Sequence, residues 1–228
     1  MSYPKLALIG KNIAHSRSPE IYRRLISPSI QYELIDVNES TNLPTIDFLA
    51  NTYQGVNITA PWKVNYFKYA IDEAKRWSAV NCIRFVNGIP EATNTDATAL
   101  QQIIPMMKKK HSGDAWVILG DGSMAKVVCT ILTEMGESFS AHSRKLGDEL
   151  NQLDMVEKYK NHPKKILVNT CAREFIFQNK LDATWVFWDL NYAHEANKAA
   201  AVGQSWSYVD GSELLETQAQ HAVKFWKL

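Results

Sequence analysis

The sequence predicts an α/β protein of two units: a first unit on a mixed sheet, a second of strand and helix repeats, and a C-terminal helix returning to the first. Three observations carry this. Short apolar runs alternate with amphipathic segments in the first half, a hairpin signature interrupts them, and the alternation restarts at Ala115.

Leu6 to Ile9, Tyr32 to Val37 and Gly55 to Ile58 read as strands, with helical stretches between them. Cys82 to Val86 and Ile89 to Thr93 flank Asn87-Gly88, the dipeptide of a two-residue turn that needs positive φ. This pair is a hairpin, and it makes the first sheet mixed. In the second unit a strand at Trp116 to Leu119 leads through a Gly-containing turn into a helix from about Met124 to Met135. Further strands lie near Ser138, Ile166, Trp185 and Trp206. The charged, turn-rich segment Pro105 to Gly113 separates the units, its lysine run forming a solvated helix end. The expected domains are residues 1–103, joined by 210–228, and residues 104–209. Leu215, Ala219, Ala222 and Trp226 fall at helical spacing, so the tail has one apolar face to pack on the first domain.

Composition excludes several function classes. An apolar content of 46% over 228 residues supports packed cores rather than disorder. Lys plus Arg number 25 against 24 Asp plus Glu, a net charge of +1, so no global positive field attracts nucleic acid or an anionic membrane. The expected partner is a small molecule held locally. Cys82, Cys129 and Cys171 are odd in number and lack metal-ligand spacing, which argues against a disulfide framework and a metal site. The run Leu6 to Ile9 ends at Gly10 and Lys11, too short for a signal-peptide core, and no 18-residue apolar stretch occurs. A cytoplasmic protein is expected.

Four segments carry chemistry. In His15-Ser16-Arg17-Ser18-Pro19-Glu20, Ser18 is the expected N-cap and Pro19 the first helical residue, and such a helix start is also a seat for a carboxylate. Gly55 to Lys63 ends on a lysine among bulky apolar neighbours; it is either a partly desolvated proton donor or a snorkelling surface lysine. Asn94-Thr95-Asp96 precedes a helix, capped by Thr95 or Asp96, unless the carboxylate pairs with a lysine and binds hydroxyls. Finally, Gly120-Asp121-Gly122-Ser123-Met124-Ala125 sets Gly-x-Gly-x-x-Ala between a strand and a helix, the context of a dinucleotide fingerprint. Roughly 20 residues on, where NAD enzymes carry an acid, the chain reads Ala141-His142-Ser143-Arg144-Lys145, and the arginine favours the 2′-phosphate of NADP.

In order and spacing, His15-Ser16-x-Ser18-Pro19, Gly55-x-Asn57-x-Thr59-x-Pro61-x-Lys63, Ala79-Val80-Asn81 and Asn94-Thr95-Asp96 resemble the signatures of the shikimate dehydrogenase family. The resemblance returns at Asp189-Leu190-Asn191-Tyr192 and at Gly211-x-x-x-Leu215-x-x-Gln218. It implies a substrate domain followed by a Rossmann-like dinucleotide-binding domain, and NADPH-dependent reduction of 3-dehydroshikimate to shikimate. It further implies that Ser16 and Ser18 hold the substrate carboxylate, that Thr59, Asn81, Asp96 and Gln218 bind ring hydroxyls, and that Lys63 and Asp96 are the catalytic pair. Gly120, Gly122, Ser123, Met124, Ala125, Ser143, Arg144, Tyr192 and Gly211 would then contact NADP.

Departures from the family pattern concentrate on the cofactor side. Asp121 stands where alanine is usual, an anion that would repel a pyrophosphate unless it points away, and Val168 to Arg173 keeps only part of the nicotinamide wall. Tyr22-Arg23 replaces a common His-Asn pair, and Ser78 replaces a glycine. Two alternatives therefore stay open: a paralogue that binds a shikimate-like ligand with weak or no turnover, and a quinate/shikimate dehydrogenase.

Overall fold

A computed structural model describes residues 3–228. The chain forms two compact units, residues up to 98 with 216–228, and residues 99–215. The divisions fall inside two helices, α3 (Thr95–His111) and α7 (Ser212–Trp226). Among the described residues no helix is long and apolar enough to cross a membrane.

The first unit is built on β1 (Lys5–Gly10), β2 (Gln31–Asp36), β3 (Gly55–Ile58), β4 (Cys82–Val86) and β5 (Ile89–Thr93), in sheet order β2-β1-β3-β4-β5. The sheet is mixed, as expected: β1 runs parallel to both β2 and β3, and β3-β4 and β4-β5 are antiparallel. Asn87 (φ 52°) and Gly88 (φ 78°) both take positive φ, the geometry a two-residue hairpin turn demands. One sheet face buries Ala7, Ile9, Val56, Ile58 and Ile83 against residues that include Leu49 of α2 (Ile46–Thr52), Trp62 and Tyr66. On the other, Tyr22 of α1 (Ser18–Leu25) stacks on Tyr32 at 4.9 Å and meets Trp226 at 5.2 Å.

Trp226 fixes the end of the tail helix, as its apolar face predicts. Its indole Nε1 donates to the Ile83 carbonyl at 2.8 Å, and a Cβ at Gly55 would lie 2.4 Å from the ring. Truncating a buried aromatic of this kind costs about 3–5 kcal/mol. The largely exposed ion pair between Arg24 and Glu216 of the tail helix contributes about 0–1 kcal/mol, so packing holds this helix.

The second unit carries β6 (Ala115–Leu119), β7 (Phe139–His142), β8 (Lys165–Asn169), β9 (Trp185–Asp189) and β10 (Ser207–Val209), all parallel, in order β10-β9-β8-β6-β7. Helices α4 (Ser123–Glu134), α5 (Met155–Lys158) and α6 (Glu195–Ala201) lie between strands. β6, β8 and β9 are buried along their whole length, as strands covered on both faces must be. The winding reverses between β6 and β8, and open parallel sheets bind ligands at the carboxyl ends of strands at such a switch point.

Three local expectations are corrected. Pro105 to His111 is not a turn-rich connector but the last part of α3, with Pro105 inside the helix. Burial of Leu100, Ile103, Ile104 and Met107 offsets the roughly 3 kcal/mol a helical proline costs. Ser18 is not an N-cap: it is the first residue of α1, turned inward, and its N–H is accepted by Ser16 Oγ at 3.3 Å. The start of α3 is capped by neither Thr95 nor Asp96 but by Asn94, whose Oδ1 accepts the Ala97 N–H at 2.9 Å.

Candidate active site

In the first unit, the chemistry-bearing side chains gather beyond the carboxyl ends of β1 and β3. The chain leaves β1 at Gly10, where a Cβ would lie 2.4 Å from both Ile13 Cγ2 and Thr59 Cγ2. Only glycine lets the Ser16 loop pack this closely on the end of β3. Asp36 then pins the loop, its carboxylate accepting the N–H groups of Asn12 (2.9 Å) and Ile13 (3.1 Å). Ser16 N–H closes the turn onto the Ile13 carbonyl at 2.9 Å, just before α1.

Thr59 follows β3, and its carbonyl accepts the Trp62 N–H at 3.0 Å, opening the short 3-10 turn Trp62–Val64. That turn presents Lys63. Its Nζ donates to Asp96 Oδ2 at 2.7 Å, with side-chain exposures of only 12% and 14%. The snorkelling alternative is thereby excluded, since a snorkelling lysine keeps its ammonium in water. With Asn94 taking the capping role, the Asp96 carboxylate is left to face the ammonium.

Asn81 and Gln218 meet through Thr95, which the sequence argument used only as a cap. Asn81 Oδ1 accepts from the Thr95 N–H at 2.6 Å and its hydroxyl at 3.1 Å, and that hydroxyl lies 3.2 Å from Gln218 Oε1. Asn81, Thr95 and Gln218 are all buried. Beneath them, burial and the nearby Asp96 charge push the Cys82 thiol well above its usual range, so it is an inert neutral wall.

In the second unit, β6 ends at Gly120 (φ 112°), where a Cβ would stand 2.4 Å from Thr170 Oγ1 at the end of β8. Gly122 is the N-cap of α4; it brings no capping side chain, and nothing lies within 4 Å of the Cβ position it lacks. A helix start of this kind, open above and with backbone N–H groups directed outward, fits a phosphate group. Asp121 does not leave an uncompensated anion here, because Lys145 Nζ lies 3.2 Å from its carboxylate.

Ser143 and Arg144 follow β7. Ser143 is buried, its Oγ accepting the Leu146 N–H at 3.3 Å, whereas Arg144 is exposed. Burial pushes the Cys171 thiol up to about 11, with the positive charge of Arg144 opposing that shift. Gly211 packs on the backbone just before Tyr192: its N–H donates to Asn191 O at 3.1 Å, and a Cβ there would strike Leu190 O at 2.2 Å. Arg173 donates to the carbonyls of Tyr192 (2.9 Å) and Ala193 (2.6 Å), fixing that loop. All three cysteines are free, and no cluster of metal ligands occurs among the described residues.

Residues 8–83 match the family model described as the shikimate dehydrogenase substrate binding domain. A shikimate dehydrogenase (NADP(+)) of Janthinobacterium sp. (strain Marseille) is 27% identical over 187 residues, 78% of this chain and 67% of the relative. Another, from a Saccharolobus islandicus strain, is 25% identical over 240 residues, 96% of this chain and 87% of the relative. Among solved structures, shikimate dehydrogenase of Aquifex aeolicus superposes with a TM-score of 0.79 at 22% identity, covering 98% of this chain and 92% of the other. The Thermus thermophilus enzyme, solved in complex with NADP(H) and shikimate, gives 0.73 at 22% identity, covering 98% and 93%. At these identities the structural likeness establishes the fold.

Proposed function

We propose that the chain is a member of the shikimate dehydrogenase family, whose substrate-domain model matches residues 8–83, and that it catalyses the reversible, NADPH-dependent reduction of 3-dehydroshikimate to shikimate. The observation that carries this is the shielded Lys63–Asp96 pair, 2.7 Å apart beside the Asn81–Thr95–Gln218 network. NADPH, when bound, supplies the hydride.

Reduction of a ketone leaves negative charge on its oxygen. Lys63 beside that oxygen stabilises the charge and donates the proton, and Asp96 orients the ammonium and accepts from a neighbouring hydroxyl. In the reverse direction Lys63 takes the proton from the alcohol. Ser16 and Ser18, at the start of α1, hold the substrate carboxylate, where hydroxyls and the helix dipole both favour an anion. Thr59, Asn81 and Gln218 read ring hydroxyls; with Asn81 Oδ1 occupied by Thr95, its amide edge is the donor offered to the ligand.

On the cofactor side, Gly120, Gly122 and the first turn Ser123, Met124 and Ala125 hold the pyrophosphate. Ser143 and Arg144 take the 2′-phosphate, and Tyr192 and Gly211 flank the nicotinamide end. The three free cysteines suit a reducing cytoplasm.

The test is a steady-state assay of the purified protein with shikimate and quinate, each with NADP and NAD. Turnover is expected with shikimate and NADP; turnover only with quinate, or with neither, contradicts the proposal. Arg144→Ala should weaken NADP by about 10 to 100-fold, the scale of a lost guanidinium–phosphate contact, and leave NAD nearly unchanged. Equal losses for both cofactors would remove Arg144 from the site.

A further inference from the structure

We propose that Asp148, held in place by His142, is a positioning residue that shapes the Arg144 loop and thereby sets the preference for a 2′-phosphorylated dinucleotide. The inference rests on the NADP assignment above and extends it to residues that would not touch the cofactor.

The segment Ser143 to Asp148 is a loop closed at its neck. Asp148 N–H donates to Ser143 O at 3.1 Å, and Ser143 N–H donates back to Asp148 Oδ2 at 3.2 Å. Inside the ring, Leu146 N–H reaches Ser143 O (3.0 Å) and Gly147 N–H reaches Arg144 O (3.1 Å), with Gly147 at φ 83°. Arg144 and Lys145 stand exposed at the tip, and the Lys145–Asp121 ion pair ties that tip to the glycine turn.

His142 fills the neck. It is 5% exposed, with Nδ1 3.4 Å from Asp148 Oδ2 and Nε2 3.0 Å from the Tyr159 hydroxyl, which in turn contacts Ser140 Oγ. Lys158 Nζ also faces Nε2, at 3.4 Å. Burial and then Lys158 lower the His142 pKa, outweighing Asp148, so the ring is neutral near pH 7. Burial raises the Tyr159 phenol, which keeps it a donor. One tautomer satisfies both ends: Nδ1–H donates to the carboxylate and Nε2 accepts from Tyr159.

A carboxylate near the end of the second strand of such a sheet ordinarily reads the ribose hydroxyls and selects NAD. Here Oδ2 is committed to Ser143 N–H and His142, so the carboxylate acts on the loop. The two roles predict opposite signs. Acting only through charge, Asp148 would repel a 2′-phosphate, and its removal would tighten binding. Acting as the clamp, its removal frees the loop and weakens binding.

Calorimetric titration of wild type, Asp148→Ala, Asp148→Asn and His142→Ala with 2′,5′-ADP and with ADP separates them. Wild type is expected to prefer 2′,5′-ADP. Asp148→Ala should lose roughly tenfold for 2′,5′-ADP, the equivalent of one weakened charge-assisted contact, with ADP unchanged, and His142→Ala should follow in the same direction. Asp148→Asn keeps an acceptor for Ser143 and His142, so it should retain wild-type affinity or exceed it. Unchanged or tighter 2′,5′-ADP binding by Asp148→Ala overturns the clamp, as do equal losses for both ligands. A wild-type protein with no preference for 2′,5′-ADP overturns the NADP assignment as well, whereas a preference of undiminished size in Asp148→Ala overturns the clamp alone.

Discussion

Lys63→Ala is expected to lower kcat by roughly 10²-fold or more, the scale of a positioned proton donor, with a smaller change in the KM for shikimate. The ammonium sits against Asp96 with little solvent access, so truncation also strands a carboxylate that is 14% exposed. Thermal unfolding must therefore be followed in parallel; a folded variant with wild-type turnover contradicts the assignment. Asp96→Asn should likewise reduce kcat, because an amide carries no negative charge to hold the ammonium and replaces one acceptor oxygen with a donor NH₂.

Asp189→Ala should destabilise the second unit by at least about 3 kcal/mol, since hydrogen bonds to a charged group contribute about 1.5–3 kcal/mol each and orphaned buried donors add their own cost. The Asp189 carboxylate is 0% exposed at the end of β9. Its Oδ1 accepts from Asn169 Nδ2 (3.0 Å), Asn191 N–H (3.0 Å) and Asn191 Nδ2 (2.9 Å); its Oδ2 accepts from Asn197 Nδ2 (2.7 Å) and Tyr208 OH (3.5 Å). Burial and the Asp189 charge raise the Tyr208 phenol, which keeps it protonated as a donor. Because every partner donates, the isosteric Asp189→Asn turns an NH₂ toward a donor and should not rescue the loss. Denaturant unfolding checks this, and a loss of unfolding free energy below about 1 kcal/mol in Asp189→Ala would show that the network carries little.

Much of this architecture was legible because it rests on local patterns. Apolar runs bounded by turn residues marked β1, β3 and β6, and Asn87-Gly88 marked the hairpin by the φ angles it tolerates. The Lys63–Asp96 pair, 33 residues apart, was legible only through motif resemblance. At both helix starts the cap lies earlier than expected: Arg17 stands at the N-cap of α1 without a side-chain cap bond, and Asn94 caps α3. Asn94, Thr95 and Asp96 are neighbours of similar capping ability, and only the backbone path decides which side chain meets the exposed N–H. The helix through Pro105 was hidden because tertiary burial of Ile103, Ile104 and Met107 overrides a strong local breaker. The Asp189 hub and the His142–Asp148 clamp had no sequence signal, since they join side chains from different loops through burial.

The central claim is that this chain turns its ligand over rather than merely binding it. The most direct measurement is a single turnover, with enzyme in excess over 3-dehydroshikimate and NADPH, following the dihydronicotinamide signal and separating the two ring carboxylic acids afterwards. The expected result is loss of NADPH in step with formation of one equivalent of shikimate, and the same experiment on Lys63→Ala should proceed at least about 10²-fold more slowly. Saturable binding of shikimate with no change in NADPH, in the wild-type protein, would contradict the account and identify a ligand-binding paralogue.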